Sequence, residues 1–162
     1  MMYSKILKSN SKNLSCLSKG YDFDNRYICN KSGKVYLIKK IYSKYYLAQE
    51  LVPYKDRNGY YEYVLTQKDG SKKHVMIHRL VALLFIPNKN KLVYTYVNHI
   101  DHDKSNNNIS NLEWVTPSQN IYLMHKWYKE RREIERKTRH EIKELTTELK
   151  NKKEELAKIR AS

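Results

Sequence analysis

The chain of 162 residues has only two cysteines, Cys16 and Cys29. They form no CxxC pair and no four-ligand set, so no structural zinc is expected and the fold must hold by packing. A disulfide between them stays open, but sparse cysteine fits a reducing compartment. No run of about 18 apolar residues occurs, so neither a transmembrane helix nor a membrane partner is expected. The opening stretch MMYSKILKSNSKN lacks the apolar core of a signal peptide. Residues 1–20 read as a basic lead-in without regular structure, with a basic arm or a transit-like segment as alternatives. Acidic residues are scarce too: 17 Asp and Glu stand against 32 Lys and Arg, for a net charge of +15 and a pI of about 9.7. A polyanion is therefore the first partner to consider.

The remaining composition bounds the size of the fold. Hydrophobic residues make up 40 % of the chain, enough for a modest core in one domain or two small modules. Lysine outnumbers arginine 24 to 8, and asparagine and tyrosine are abundant, at 14 and 15. That usage hints at an AT-rich genome. The expected location is the cytoplasm of a bacterial or phage-infected cell, with an organelle as the alternative. The charge is uneven. Residues 1–96 carry 18 Lys/Arg against 6 Asp/Glu, residues 97–116 carry 1 against 3, and residues 117–162 carry 13 against 8. An acidic island thus sits in a basic chain, a combination that suits phosphate beside a divalent cation.

Punctuation by Gly and Pro divides the chain. Residues 21–40 read as two short strands around Asn30-Lys31-Ser32-Gly33, with Val35 and Leu37 alternating as a half-buried strand should. Residues 41–58 are ambiguous. Residues 60–66 and 73–77 flank Lys68-Asp69-Gly70-Ser71 as a hairpin. In the stretch HRLVALLF, Leu80, Val81, Leu84 and Phe85 share one helical face and Pro87 stops it. Residues 88–96 lead as a loop into a strand ending near His99, and 112–115 form the next strand. Thr116 is an N-cap with Pro117 at N1, and Gln119 completes a capping box. From 118 to 161 there is no Gly or Pro. Ile142, Leu145, Leu149, Leu156 and Ile159 keep a heptad phase that reaches back to Ile121, Met124 and Tyr128, broken at Arg131, Glu135, Thr138 and Lys152. The tail is one long charged helix or two; 138–160 reads either as a coiled coil or as a single amphipathic helix.

Residues 97–120, VNHIDHDKSNNNISNLEWVTPSQN, carry the chemistry. Val97-Asn98-His99-Ile100-Asp101, Asn106-Asn107 and Asn111-Leu112-Glu113-Trp114-Val115-Thr116 follow one another in order. Ahead of them come Tyr21, the turn from Asn30 to Val35, Leu51-Val52-Pro53, Gly59-Tyr60, His78-Arg79-Leu80-Val81-Ala82 and Phe85-Ile86-Pro87-Asn88. This ordered set resembles the HNH homing endonucleases of the phage and intron type, over roughly residues 20–125.

The resemblance implies an α+β fold. Its parts are a small N-terminal antiparallel sheet forming a β-rich DNA-contacting module over 21–77, a ββα-metal (HNH) nuclease domain over 78–125, and a charged helical tail over 126–162. It implies hydrolysis of a phosphodiester in double-stranded DNA, with His99 as general base. Asn111 would bond across the loop and so fix the strand that carries His99. Asn98 and Asn120 would be ligands of one Mg²⁺ or Mn²⁺. Asn98 departs from the Asp often found at its position, and Asn120 stands where the third letter is His, making an H-N-N variant.

Other residues have plainer readings. Asp101 and Asp103 are turn formers before they are outer-sphere partners of a cation, and Asn106, Asn107 and Asn108 are turn formers first. His102 reads as an exposed loop residue, Trp114 as core, and His78 as structural. His125 lies off the face of Asn120. Lys34, Lys39, Lys40, Arg57, Lys72, Lys73 and Arg79 are the candidate DNA contacts, interleaved with tyrosines on a β surface. One active site cuts one strand, so a monomer would nick and a homodimer through the C-terminal helix could break both strands. The alternative is a non-cleaving nucleic-acid-binding protein that retains the HNH fold. A coiled-coil adaptor would explain the tail but not residues 97–120.

Overall fold

The computed structural model describes residues 11–17, 21–23, 26–42 and 45–161, and of 39–42, 45–48 and 161 the backbone alone. The described residues fall into two compact units, one ending at Asn120 and one beginning at Ile121. The first unit is α+β. Strands β1 (Ser11–Asn13), β2 (Tyr27–Asn30), β3 (Val35–Tyr42) and β4 (Tyr45–Glu50) form an antiparallel sheet in that order. A second sheet holds β5 (Tyr54–Lys55), β6 (Tyr61–Thr66) and β7 (Lys72–Met76), and a third pairs β8 (Tyr96–His99) with β9 (Leu112–Val115). Helix α1 (Ile77–Phe85) links the second sheet to the third, and α2 (Pro117–Ala161) follows β9. The ambiguous stretch 41–58 is thus mostly strand, and the N-terminal half carries two sheets rather than one.

Three turns share one chemistry, a polar side chain that accepts from backbone N–H groups flanking a glycine. Asn30 Oδ1 accepts from the Ser32 and Lys34 N–H groups at 3.1 and 2.9 Å. Asp56 Oδ1 accepts from Asn58 and Tyr60 N–H at 2.9 and 2.7 Å, and Asp69 Oδ1 from Ser71 N–H at 2.8 Å. Gly33, Gly59 and Gly70 then adopt φ of +84, +84 and +85°, the left-handed region that glycine enters without a Cβ clash.

The core lies where the first two sheets and α1 meet. Leu80, Val81 and Ala82 of α1 are fully buried, with Leu14, Val35, Leu65 and Cys29. Burial explains one departure from the reading of the sequence. Residues 11–17 of the lead-in are not irregular: β1 pairs with β2, and a 3-10 turn (Leu14–Cys16) places Leu14 in the core. A side chain of that size returns about 2 kcal/mol when buried, enough to order a short segment. Residues 1–10 and 18–20 of the lead-in lie outside the described residues.

The β2–β3 turn also supports the later site. Lys31 C=O accepts from Ile109 N–H at 2.9 Å. A Cβ on Gly33 would stand 2.4 Å from Ile77 Cγ2 and 3.3 Å from Asn107 Cβ. Gly33→Ala should therefore destabilise the first unit by about 2–4 kcal/mol, combining left-handed strain with overpacking. The urea midpoint reads this directly; an unchanged midpoint would show that the turn relaxes freely.

Candidate active site

Strands β8 and β9 pair with His99 opposite Leu112, Asn98 opposite Glu113 and Val97 opposite Trp114. Alternation along β8 sends Val97 and His99 inward, both buried, and leaves Asn98 half-buried. Trp114 Nε1 donates to Ile86 C=O at 3.1 Å, and its ring packs partly buried against the core, which anchors β9 under the end of α1. The ββα order is complete at Thr116. Gln119 N–H donates to Thr116 Oγ1 at 3.1 Å and Thr116 N–H to Gln119 Oε1 at 2.9 Å, the reciprocal pair of a capping box.

The loop between β8 and β9 is held by polar side chains. Asn111, buried, accepts from Asp101 N–H at 3.0 Å and donates from Nδ2 to Asp101 Oδ1 at 2.8 Å and Asn106 C=O at 2.9 Å. Asn106 Nδ2 reaches Asp101 Oδ2 at 2.7 Å, and Asp103 Oδ1 accepts from the Ser105 N–H and hydroxyl. Burial raises the Asp101 carboxyl, but the bonds from Asn106, Asn111 and Asp103 N–H outweigh it and hold it below the usual carboxylate range. The two aspartates thus build the turn. His102, half-buried, takes φ of 60° within it.

His99 is 5 % exposed. Its Nε2 lies 3.2 Å from Asn107 Oδ1, and Asn107 Nδ2 is committed to the Ser105 carbonyl at 3.1 Å. An amide oxygen only accepts, so Nε2 carries the hydrogen and Nδ1 is left as the basic nitrogen. Burial pushes the imidazole below its ordinary pKa and outweighs the Asn107 bond and the Asp101 and Asp103 charges that raise it. The ring is a neutral base at pH 7.

Beside it stand His78 and Tyr60, for neither of which the sequence predicted a part in catalysis. The His78 ring lies 5.1 Å from that of His99, and Tyr60 lies 5.0 Å from His78 and 6.1 Å from His99. His78 Nδ1 is buried without a hydrogen-bond partner. Burial, then the neighbouring His99 and Arg79, push its pKa down to about 3. Lys104 Nζ sits 4.4 Å over the Tyr60 ring and donates to Asn58 C=O at 2.8 Å. No periodicity could reveal this cluster, because its members come from three separate segments.

On the other face of β8, Asn98 Nδ2 donates to Glu113 Oε1 at 2.9 Å. The bond leaves Oδ1 as the atom of Asn98 that could ligate a cation and sets a carboxylate beside it. Asn120 stands half-buried in the first turn of α2, its N–H bonded to Thr116 C=O at 2.9 Å, and no hydrogen bond engages its side chain among the described residues. No cluster of three His, Cys, Asp or Glu capable of holding a metal occurs among the described residues. The candidate donors are the neutral amide oxygens of Asn98 and Asn120, with Glu113 beside Asn98. Such a set fits a hard cation that shares its shell with phosphate and water, not a closed zinc cage. Glu113 was legible only through the strand register.

The candidate DNA contacts are dispersed. Lys34 is exposed and ion-paired with Glu50 at 2.9 Å; Arg57 is exposed; Lys72 Nζ donates to Thr66 Oγ1 at 2.7 Å; Lys73 lies 5.3 Å over the Tyr21 ring. Arg79 Nη1 reaches Thr95 C=O at 3.3 Å. The side chains of Lys39 and Lys40 lie outside the described residues.

Residues 75–122 match the HNH endonuclease family. Two uncharacterized HNH endonucleases of Acanthamoeba polyphaga mimivirus are similar to this chain. One is 45% identical over 60% of this chain and 27% of its own length, and the other 47% identical over 41% of this chain and 17% of its own. The chain therefore spans about a quarter or less of these relatives. A solved structure describing DNA binding and cleavage by the HNH homing endonuclease I-HmuI aligns with a TM-score of 0.57 at 29% identity, covering 73% of this chain and 59% of that one.

The two buried imidazoles make the fold acid-sensitive. Both have folded pKa values below the ordinary value of about 6.5. The unfolded chain then binds more protons under acid conditions, and stability rises with pH across that interval. Unfolding free energy measured in urea should fall as pH drops from about 6.5 toward about 4, and His78→Phe should flatten the slope. A slope unchanged by the substitution would show that His78 is not the titrating group.

Proposed function

We propose that this chain, whose residues 75–122 belong to the HNH endonuclease family, is a metal-dependent endonuclease of double-stranded DNA, of the homing type. The observation that carries the reading is the contact of His99 Nε2 with Asn107 Oδ1. Asn107 accepts from Nε2–H, which leaves Nδ1 as the basic nitrogen, and burial favours its unprotonated form at neutral pH. His99 takes the proton of a water as that water attacks phosphorus. The phosphorus–O3′ bond breaks and O3′ takes a proton from water, leaving a 5′-phosphate and a 3′-hydroxyl. Asn111 positions the base by closing the loop that follows it.

Asn98 and Asn120 would hold a Mg²⁺ or Mn²⁺ ion, whose charge stabilises the departing oxygen when bound. Glu113 orients Asn98 and supplies the anionic charge that Asn98 lacks. The N-terminus of α2 adds a field favourable to phosphate. The excess of cations over 1–96 supports contact with the duplex backbone, with Lys34, Arg57, Lys72, Lys73 and Arg79 as its described members. The likeness to I-HmuI supports both the DNA substrate and the homing role. The neutral ligand set favours a second reading, a DNA-binding protein that retains the fold without cleaving.

Plasmid nicking with Mg²⁺ separates the two. His99→Ala should lower the nicking rate about 10²–10⁴-fold relative to the unaltered chain, the usual worth of a general base. Equal rates would remove His99 as the base, and no nicking by either would favour the binder.

Asn98→Asp tests the ligand. Without metal it sets two carboxylates together and loses the Asn98–Glu113 bond, so thermal stability should fall. Added Mg²⁺ should restore it by mass action, to a greater extent than in the unaltered chain. A melting temperature that Mg²⁺ leaves unmoved in both proteins would argue against a cation at Asn98.

A further inference from the structure

The second unit is a helix that exposes an aliphatic stripe. Within α2, Ile142, Leu145, Leu149 and Leu156 are between 48 and 59 % exposed. A helix gains most of its stability by burying such a face. The seam runs at heptad spacing, with Ile142, Leu149 and Leu156 at a and Leu145 and Ile159 at d.

The charges beside that seam say what covers it. Glu141, Glu148 and Glu155 occupy g, while Arg139, Lys153 and Arg160 occupy e, with Thr146 between them. In a parallel pair, g of one helix faces the following e of the other. Glu148 then meets Lys153 of a second copy, and Glu155 meets Arg160. In an antiparallel pair, g faces g and e faces e, so glutamates would meet glutamates and cations would meet cations. The intrachain ion pairs of this stretch, His140–Glu144 and Lys150–Glu154, lie on the opposite face at b, c and f. Glu148, Lys153, Glu155 and Arg160 make none among the described residues and are available to a partner. Lys152 at d is tolerated in two strands, where its stem can lie along the seam and its ammonium reach water.

We propose that residues 138–160 form a parallel two-stranded coiled coil with a second copy of this chain. Parallel pairing leads both chains out of one end of the coil, which tethers two HNH domains together and gives one assembly two strand-cutting sites. The dimer itself stands independently of the nuclease reading, because it is read from mass and not from cleavage.

Sedimentation of the full chain should show a reversible dimer, and Leu145→Asp combined with Leu149→Asp should leave only monomer. Glu148→Lys and Lys153→Glu should each raise the dimer dissociation constant about tenfold. An equimolar mixture of those two variants should pair as a heterodimer at least as tightly as the unaltered chain, since both interhelical contacts are then attractive. In a Cys16→Ser background, Leu149→Cys should cross-link two copies on oxidation, because a meets a only in a parallel coil. A chain that stays monomeric at high concentration overturns the proposal. So does a dimer that persists through the aspartate substitutions, is indifferent to the charge reversals, or fails to cross-link.

Discussion

Asn111 makes three hydrogen bonds around Asp101 and Asn106, and the shape of the site depends on them. They close the turn that follows His99 and bring Asn107 under the imidazole. A carboxamide suits this position because it donates and accepts at once, matching a backbone N–H, a backbone C=O and a carboxylate. The Asn111 amide is itself buried, so its own donor and acceptor would each cost about 1–3 kcal/mol if left unpaired. The turn therefore has one low-energy arrangement, and the tautomer of His99 follows from it.

Two features lie against ordinary core chemistry, and both flank the base. His78 buries an unpartnered nitrogen, and its ring contacts His99 in place of an aliphatic side chain. Burial holds both rings neutral. On the opposite face of β8, the Asn98–Glu113 bond places a carboxylate beside the neutral amide proposed as a ligand. A strand that is dry on one face and carries a carboxylate on the other would separate the proposed base from the proposed cation site while keeping them on adjacent residues. The support is distributed. Gly33 leaves Asn107 and Ile77 the space that a Cβ would fill, Lys31 accepts from Ile109, and Trp114 ties β9 to the end of α1. The N-terminal strands are thus a scaffold for the site as well as a basic surface.

Much of this was legible because short-range chemistry dictates it. The turns at Gly33 and Gly70 carry side chains that favour them, α1 has an apolar face ended by Pro87, and Thr116, Pro117 and Gln119 spell a helix start that the hydrogen bonds confirm. The single helix from Pro117 to Ala161 follows from the absence of any breaker. The order His99, Asn111, Asn120 carried the likeness to HNH endonucleases, which the match over residues 75–122 shows. Residues 41–58 resisted reading because edge strands such as β5 are short and polar. The role of Leu14 was hidden because one apolar residue in a polar segment has no period.

Local chemistry in the sequence by itself determined the turns, the helix boundaries, the heptad seam of the tail, and which residue types could serve as base and ligands. Tertiary structure alone decided which nitrogen of His99 is free, that Glu113 stands beside Asn98, and that His78 and Tyr60 wall the base. Those relations join segments far apart in the chain. They depend on strand register and on packing against α1, which no local pattern encodes.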